Sequence, residues 1–564
     1  MNIKNEIKKL LQSAGVEGDI KITTPPRSEM GDLSFAVFGT TAHQGLRQIG
    51  ELVGKMNKIK NDNGFNFIDK IAQAGHYINF FLNPKTLAKN VLSAVDKKDF
   101  GRSKSGKGQK IMVEFAHPNT HKAFHIGHLR NITTGESMSR IFENAGYKVV
   151  RANYQGDVGL HIAKCMWGIA RTMDEYEATK KKSAEEKAKF LGRVYALGGQ
   201  AYEKDEQTKE EIVDLNEKIY AGGDKELNKI YKETRQWSLD YFEIIYKRVG
   251  THFDRLYFES EVFERGIGIV EDCVKKGILE ASQGAVIFAG EKYGLHNRVF
   301  LNSKGLPTYE AKDLALAELQ LKEYNPKVIF HLVAKEQTEY FRVVFKALEF
   351  VLPKSKGREE HLVYGWVSLK EGKMSSRTGN VVLGEWLLDE VKNKIRELVK
   401  DHEIKDAEEV TEKVAMAAVK YSFLRTGATN DIAFDINESV SLTGDSGPYL
   451  LYIVARIKSI FRKYGQRLGK LAIPEVIEPA EKNLLNQIVE FEEVAARAAK
   501  EHDPSKIAHY LLDLAQSFNN FYNLCPVLKS EGVALSFRLH LIKAVEQAMT
   551  KGLYLLGIET VEEM

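Results

Sequence analysis

Cysteine is scarce in this sequence: Cys165, Cys273 and Cys525 are its only three, far apart in 564 residues. No CxxC pair or Cys/His cluster occurs, so no zinc site or disulfide framework is expected and the thiols read as buried and free. Long apolar runs are missing as well, and none approaches the roughly 18 residues that span a bilayer, so no membrane anchor is expected. Charge of one sign is also lacking, since 81 basic and 77 acidic residues leave a net charge of only +4. Any contact with nucleic acid must therefore come from cations concentrated locally. What is present is an ordinary globular composition, 43% hydrophobic and 28% charged. The length is too great for one core and suggests about three or four domains. At the N-terminus, Ile3, Ile7, Leu10 and Leu11 recur at helical spacing between lysines, which reads as an amphipathic helix and not a signal peptide. Glu6 and the absence of arginine argue against a mitochondrial presequence, so the expected location is the cytoplasm.

Taken in order, residues 1–104 read as a small α+β domain, with a helix around 43–60 and a strand over Gly75–Leu82. The segment GRSKSGKGQK, 101–110, has the composition of a linker. Residues 105–404 read as an α/β domain built on a parallel sheet. A short buried strand at Ile111–Glu114 leads through Pro118-Asn119-Thr120 to a helix opening near His125, and a second strand follows at Gly146–Tyr154. Charged, proline-free helical periodicity fills an insertion near 172–248. Strand-like runs at 284–288, 327–333 and 361–367 then complete the sheet. From 405 to 564 helical periodicity dominates without strand runs. No internal repeat is found.

The chemistry centres on His125-Ile126-Gly127-His128 at the strand-to-helix junction. Unpaired N–H groups at a helix start suit phosphate, two imidazoles add donors, and Gly127 admits a flat ring. Two histidines alone would favour a reading as caps. A second pattern, Gly372-Lys373-Met374-Ser375-Ser376-Arg377-Thr378-Gly379-Asn380, places hydroxyls and cations between glycines, as a mobile triphosphate-binding loop does. Glu114 stands in an otherwise apolar strand, where an unpaired carboxylate is costly. Tyr309 and Asp313 are four apart, on one face if helical, and Gln337 follows a buried strand. Tyr449, Tyr452 and Arg456 precede a run of further cations, Lys458, Arg462, Lys463, Arg467 and Lys470. Aromatics interleaved with cations can stack bases and track phosphates, and a solvated cationic face reads the same way.

Together the two signatures and their spacing resemble those of class I aminoacyl-tRNA synthetases, and the flanking residues resemble arginyl-tRNA synthetases over almost the whole chain. The resemblance implies a Rossmann-type catalytic domain between an N-terminal additional domain that contacts the tRNA corner and a C-terminal helical anticodon-binding domain. It implies that Gly127, His128, Lys373, Ser375, Ser376 and Arg377 bind ATP, and that His125, His128 and Lys373 are catalytic. Ser376 replaces a second loop lysine found in the family's fullest pattern. Lys122, three residues before His125, is expected to supply the missing charge. Glu114, Asn119, His125, Tyr309, Asp313 and Gln337 match the arginine pocket. Asn79, Tyr449, Tyr452 and Arg456 match tRNA-contacting positions, although Asn79 is equally readable as a structural residue. The closing Gly552–Ile558 resembles the family's terminus, so the chain reads as complete.

The implied reaction is activation of L-arginine by ATP with Mg²⁺, without zinc, and transfer to the terminal ribose of tRNA(Arg), by a monomer. Two alternatives are a class I synthetase for cysteine or glutamate, and a non-catalytic RNA-binding relative. The missing zinc ligands disfavour cysteine, and His125, His128 and Lys373 disfavour a scaffold.

Overall fold

The computed structural model describes residues 3–37, 46–62, 64–370, 382–400 and 403–564. The signature segment 372–380, with Lys373, Ser375, Ser376 and Arg377, lies outside the described residues. The described chain forms two compact units. One comprises 102–452, 495–509 and 552–564; the other comprises 1–101, 453–494 and 510–551.

The first unit is built on a five-stranded, wholly parallel sheet. Strand β1 (Lys110–Glu114) is central, with β2 (Lys148–Gln155) and β3 (Arg255–Phe258) to one side. On the other side lie β4 (Ile329–Ala334) and β5 (Glu359–Tyr364). The chain builds outward from β1 in one direction and later returns to its opposite edge. In open sheets of this kind the ligand crevice lies at that reversal, beyond the carboxyl ends of the strands. Helix α1 (Ile126–Asn144) joins β1 to β2 and is buried along most of its length. Its hydroxyls at Thr133, Thr134 and Ser139 are satisfied by carbonyls four residues back. Gly135 lets the helix seat directly on the strand, because a Cβ there would collide with the Phe115 ring.

Two expectations need correction. The run at 284–288 does not join the main sheet. Ala285–Phe288 pairs antiparallel with Glu280–Ser282 and Arg298–Leu301 in a small separate sheet. The fifth main strand is instead β3, too short for its alternation to stand out. The C-terminal third is not free of strands either, since Ile432–Phe434 pairs in parallel with Val367–Leu369. Three residues carry too little period-two signal to be seen.

The charged insertion forms helices Met173–Thr179, Ala184–Lys204, Glu206–Ala221 and Lys225–Arg248. They share with Leu160–Ala170 a core that includes Ile162, Trp167, Phe190 and Trp237. In the second unit a four-stranded antiparallel sheet occupies the N-terminal hundred residues. Buried Asp32 accepts from Lys482 at 2.8 Å and from Asn486 at 3.0 Å, so helix Pro479–Glu501 packs on this sheet. The strand expected at Gly75–Leu82 is Tyr77–Leu82.

Arg130 sets the strongest polar constraint on α1. It is 1% exposed, and its guanidinium donates to the carbonyls of Gly365, Trp366, Ala428 and Asn430 at 2.5–3.1 Å. Burial lowers its pKa to about 10, so it stays charged at neutral pH. One side chain therefore fastens the two loops that lead into the Val367–Leu369 and Ile432–Phe434 strands. Arg130→Met would leave those carbonyls unpaired and should cost about 3–5 kcal/mol. Urea unfolding followed by near-UV circular dichroism measures this, and a loss below about 1 kcal/mol would mean that water replaces the fork freely.

Candidate active site

The turn after β1 determines the site. Ala116, His117 and His121 all adopt positive φ, of 81°, 51° and 62°, which is costly for residues with a Cβ. Buried amides hold it: Asn131 Oδ1 accepts from Ala116 N at 2.6 Å, and Asn153 Oδ1 accepts from His117 N at 3.2 Å. Asn131 is itself fixed by donating to the Leu332 carbonyl. The chain then re-enters at Thr120, whose N–H donates to Gly156 O at 3.0 Å. A Cβ at Gly156 would meet Asn119 Oδ1, so a larger residue there would displace the Asn119 amide.

His125 caps α1, and the two signature imidazoles stack with centroids 3.7 Å apart. His125 Nδ1 accepts from Gly127 N at 3.1 Å, and His128 Nδ1 accepts from His125 N at 3.2 Å. An accepting Nδ1 carries a lone pair, so in a neutral ring the proton is on Nε2. Both rings are neutral. Burial, then nearby Lys122, lowers His125 to about 4, and burial with its histidine neighbours holds His128 well below the ordinary range. The pair thus offers two Nε2–H donors at a helix N-terminus, an arrangement suited to phosphoryl oxygens. The segment beyond the second signature is bonded beside them: Ile126 N donates to Val382 O, and Gly384 N to Phe124 O, both at 3.0 Å.

Glu114, Asn119, Tyr309, Asp313 and Gln337 line a single cavity of about 480 Å³ at the carboxyl end of the sheet. His125 is not in its lining. Tyr309 opens helix α2 (Tyr309–Glu323) and is exposed at the rim. Asp313, one turn on, accepts from Tyr340 OH at 2.6 Å, and burial lifts its carboxyl to about 7. Glu114 is 3% exposed. Burial works to raise its pKa, but His331 and His117 outweigh it and hold the carboxyl below its usual value.

Lys122 does not reach this cavity. It lies in an adjoining one of about 450 Å³ with His161, Lys164, Tyr195, Tyr309 and Lys312. Its ammonium sits over the Tyr195 ring at 5.3 Å, and burial, then Lys164, lowers its pKa. Among the tRNA candidates, Asn79 is buried and accepts from Ser34 at 2.7 Å. Tyr449, Tyr452 and Arg456 share helix Gly447–Tyr464; Tyr449 is buried, and Arg456 donates to Asn519 at 3.2 Å and lies over Tyr522.

Several cavity residues were not foreseen. His331 and Gln320 partner Glu114, Tyr340 partners Asp313, and Glu359 partners His331 in turn. Glu259 also lines the cavity and forms a buried ion pair with Lys312. A histidine within the apolar run Ile329–Ala334 was the one visible sign, of the same kind that singled out Glu114. Among the described residues no group of three His, Cys, Asp or Glu side chains could hold a metal ion, and no helix is long and apolar enough to cross a membrane.

Comparison with known proteins bears on the whole chain. The profile of the N-terminal domain of arginyl-tRNA synthetase matches residues 1–82, that of the class I (R) tRNA synthetase catalytic domain matches 89–436, and that of the DALR anticodon-binding domain matches 450–564. An arginine–tRNA ligase of Clostridium acetobutylicum is 33% identical over 96% of both chains, and one of Clostridium beijerinckii is 31% identical over the full length of both. Among solved structures, the arginyl-tRNA synthetase of Thermus thermophilus superposes with a TM-score of 0.80 at 25% identity, covering 100% of this chain and 99% of that one. The chain belongs to the arginyl-tRNA synthetases, the class I enzymes that use ATP to attach arginine to tRNA(Arg).

Proposed function

We propose that arginine occupies the cavity between β1 and α2, with its guanidinium between Glu114 and Asp313 and its backbone end toward Asn119 and His125. The observation that carries this reading is the convergence of two buried carboxylates, Tyr309 and Gln337 on one cavity beside a phosphate-type helix start. A guanidinium is a planar fork of donors, and charge-assisted bonds to carboxylates are the contacts it selects. ATP, with Mg²⁺ as part of the substrate, lies over Gly127 and the Nε2–H groups of His125 and His128. Lys373, Ser375, Ser376 and Arg377 complete the phosphate contacts. The arginine carboxylate attacks the α-phosphorus, the bond to the bridging oxygen breaks, and pyrophosphate leaves. The 2′-hydroxyl of the terminal ribose then attacks the arginyl carbonyl, losing its proton as AMP departs. Neither step needs a protein nucleophile; positioning and charge stabilisation carry both.

Tyr449, Tyr452 and Arg456 are proposed to contact tRNA, supported by the cations that follow them on the same helix. Asn79 is proposed to do so through the strand it occupies. We assign the chain to three functional regions, 1–104, 105–404 and 405–564. We also propose a monomer working in the cytoplasm.

The direct test is arginine-dependent exchange of pyrophosphate into ATP, with and without tRNA, beside charging of total tRNA by each amino acid. Activity with another amino acid alone would overturn the pocket assignment, and none with any would leave an RNA-binding scaffold. The Asp313 carboxyl adds a pH signature. Its proton must leave before it can pair with the guanidinium, so arginine affinity should fall about tenfold per pH unit below about 7 and level off above it. Asp313→Asn should weaken arginine binding about a hundredfold and abolish that slope, as read by calorimetry across pH 5.5–8.5. An unchanged slope would mean that another group titrates. For Lys122, alanine should slow adenylate formation about tenfold or more with little change in arginine KM. A Lys122→Ala enzyme with wild-type kcat would remove Lys122 from the phosphate site.

A further inference from the structure

The arginine cavity has a second layer on the sheet side that the assigned residues do not use. Three neighbouring parallel strands each contribute one charged side chain to it: Glu114 from β1, His331 from β4 and Glu359 from β5. They form a line. Glu114 Oε1 meets His331 Nδ1 at 3.0 Å, and His331 Nε2 meets Glu359 Oε2 at 2.8 Å. The other oxygen of Glu114 accepts from Gln320 Nε2, which reaches in from α2. All four side chains are at most 8% exposed. Phe341 and Phe345 pack on the imidazole with centroids 5.4 and 5.5 Å away, which limits its rotation.

A histidine contacting carboxylates through both nitrogens has to donate from both, so it is an imidazolium. Burial opposes that charge, but Glu114 and Glu359 outweigh burial and raise His331 to about 10. The trio then carries a net single negative charge. The other ions at the wall balance in pairs, Lys312 with Glu259 and Arg298 with Glu310 at 3.5 Å, leaving Asp313 as the remaining acid. Glu359 and Gln320 also line the cavity, and each has one buried oxygen, Oε1, with no hydrogen-bond partner among the described residues. Those oxygens are acceptors, as a polar ligand rich in N–H groups requires.

We infer that His331 and Glu359 are positioning residues for arginine selection: the imidazolium, clamped by Glu359, fixes Glu114 so that its remaining lone pairs meet the guanidinium. Glu359 and Gln320 add acceptors at the cavity wall. This rests on arginine occupying that cavity. Without Glu359, His331 loses one of its two carboxylates, Glu114 loses its fixed orientation, and a cationic side chain loses part of its advantage over a neutral one of the same shape.

The test uses the full chain with tRNA present, measuring pyrophosphate exchange with arginine and inhibition by citrulline, whose ureido group is neutral. Glu359→Gln should raise the arginine KM about tenfold, leave the ATP KM and kcat within twofold, and reduce the preference for arginine over citrulline by a similar factor. Glu359→Asp should recover much of the loss. A folded Glu359→Gln enzyme with an arginine KM within twofold of wild type overturns the inference, as does an equal rise in the ATP KM, which marks a general structural defect. If Glu359→Gln does not fold, Gln320→Met removes the opposite clamp and one acceptor, and should give the same rise confined to arginine. Wild-type protein that does not use arginine would defeat the cavity assignment itself, an outcome distinct from a variant that behaves as wild type.

Discussion

A carboxylate at the end of the central strand of a parallel sheet is the constraint on which the site depends. Glu114 is almost fully buried, and an ionised group there is tolerated only if it is paired and hydrogen-bonded. The neighbouring strand meets the requirement, because the register that sets His331 opposite Glu114 also puts the imidazole within bonding distance. Since β4 is the strand reached when the chain returns to the far side of β1, the pair sits at the reversal in strand order, where the crevice opens. The same topology brings Glu359 and α2 to the site. Under the proposed arginine assignment, charge burial and ligand recognition are one arrangement.

The two halves of the site use different electrostatics. Around α1 the polar groups are neutral donors, the Nε2–H groups of His125 and His128 and the backbone N–H groups of a helix start. Around β4 and α2 they are carboxylates with one imidazolium among them. The proposed ligands, a triphosphate on the first half and a guanidinium on the second, have opposite charge to match. The strained turn at Ala116, His117 and His121 separates them over a few residues, held in place by Asn131 and Asn153.

Much of this was legible in the sequence. The His-Ile-Gly-His junction, the Pro-Asn turn and the polar residue in an apolar strand all pointed to the crevice before any fold was known, because each is a local pattern with a local cause. The convergence of Glu114, Asn119, Tyr309, Asp313 and Gln337 came through resemblance to a family and not through spacing. What stayed hidden was non-local. Gln320 and Glu359 look like ordinary residues of a helix and a strand, and only the pairing of distant segments gives them a partner. The three-residue strand at Ile432–Phe434 was invisible for a similar reason: its pairing is defined by a strand far earlier in the chain. The separate small sheet containing Ala285–Phe288 shows the converse, a segment whose local pattern was right and whose partners were not.

Arg130 has a consequence for how this protein can vary. Its planar fork serves four carbonyls from two loops at once, and no other side chain combines that reach, planarity and permanent charge. Lysine conserves the charge but offers it as a point with three donors on a flexible stem, so it would leave at least one loop unfastened. The usual first step away from arginine is therefore closed at this position. The two loops and the helix that carries the signature histidines are bound to change together or not at all.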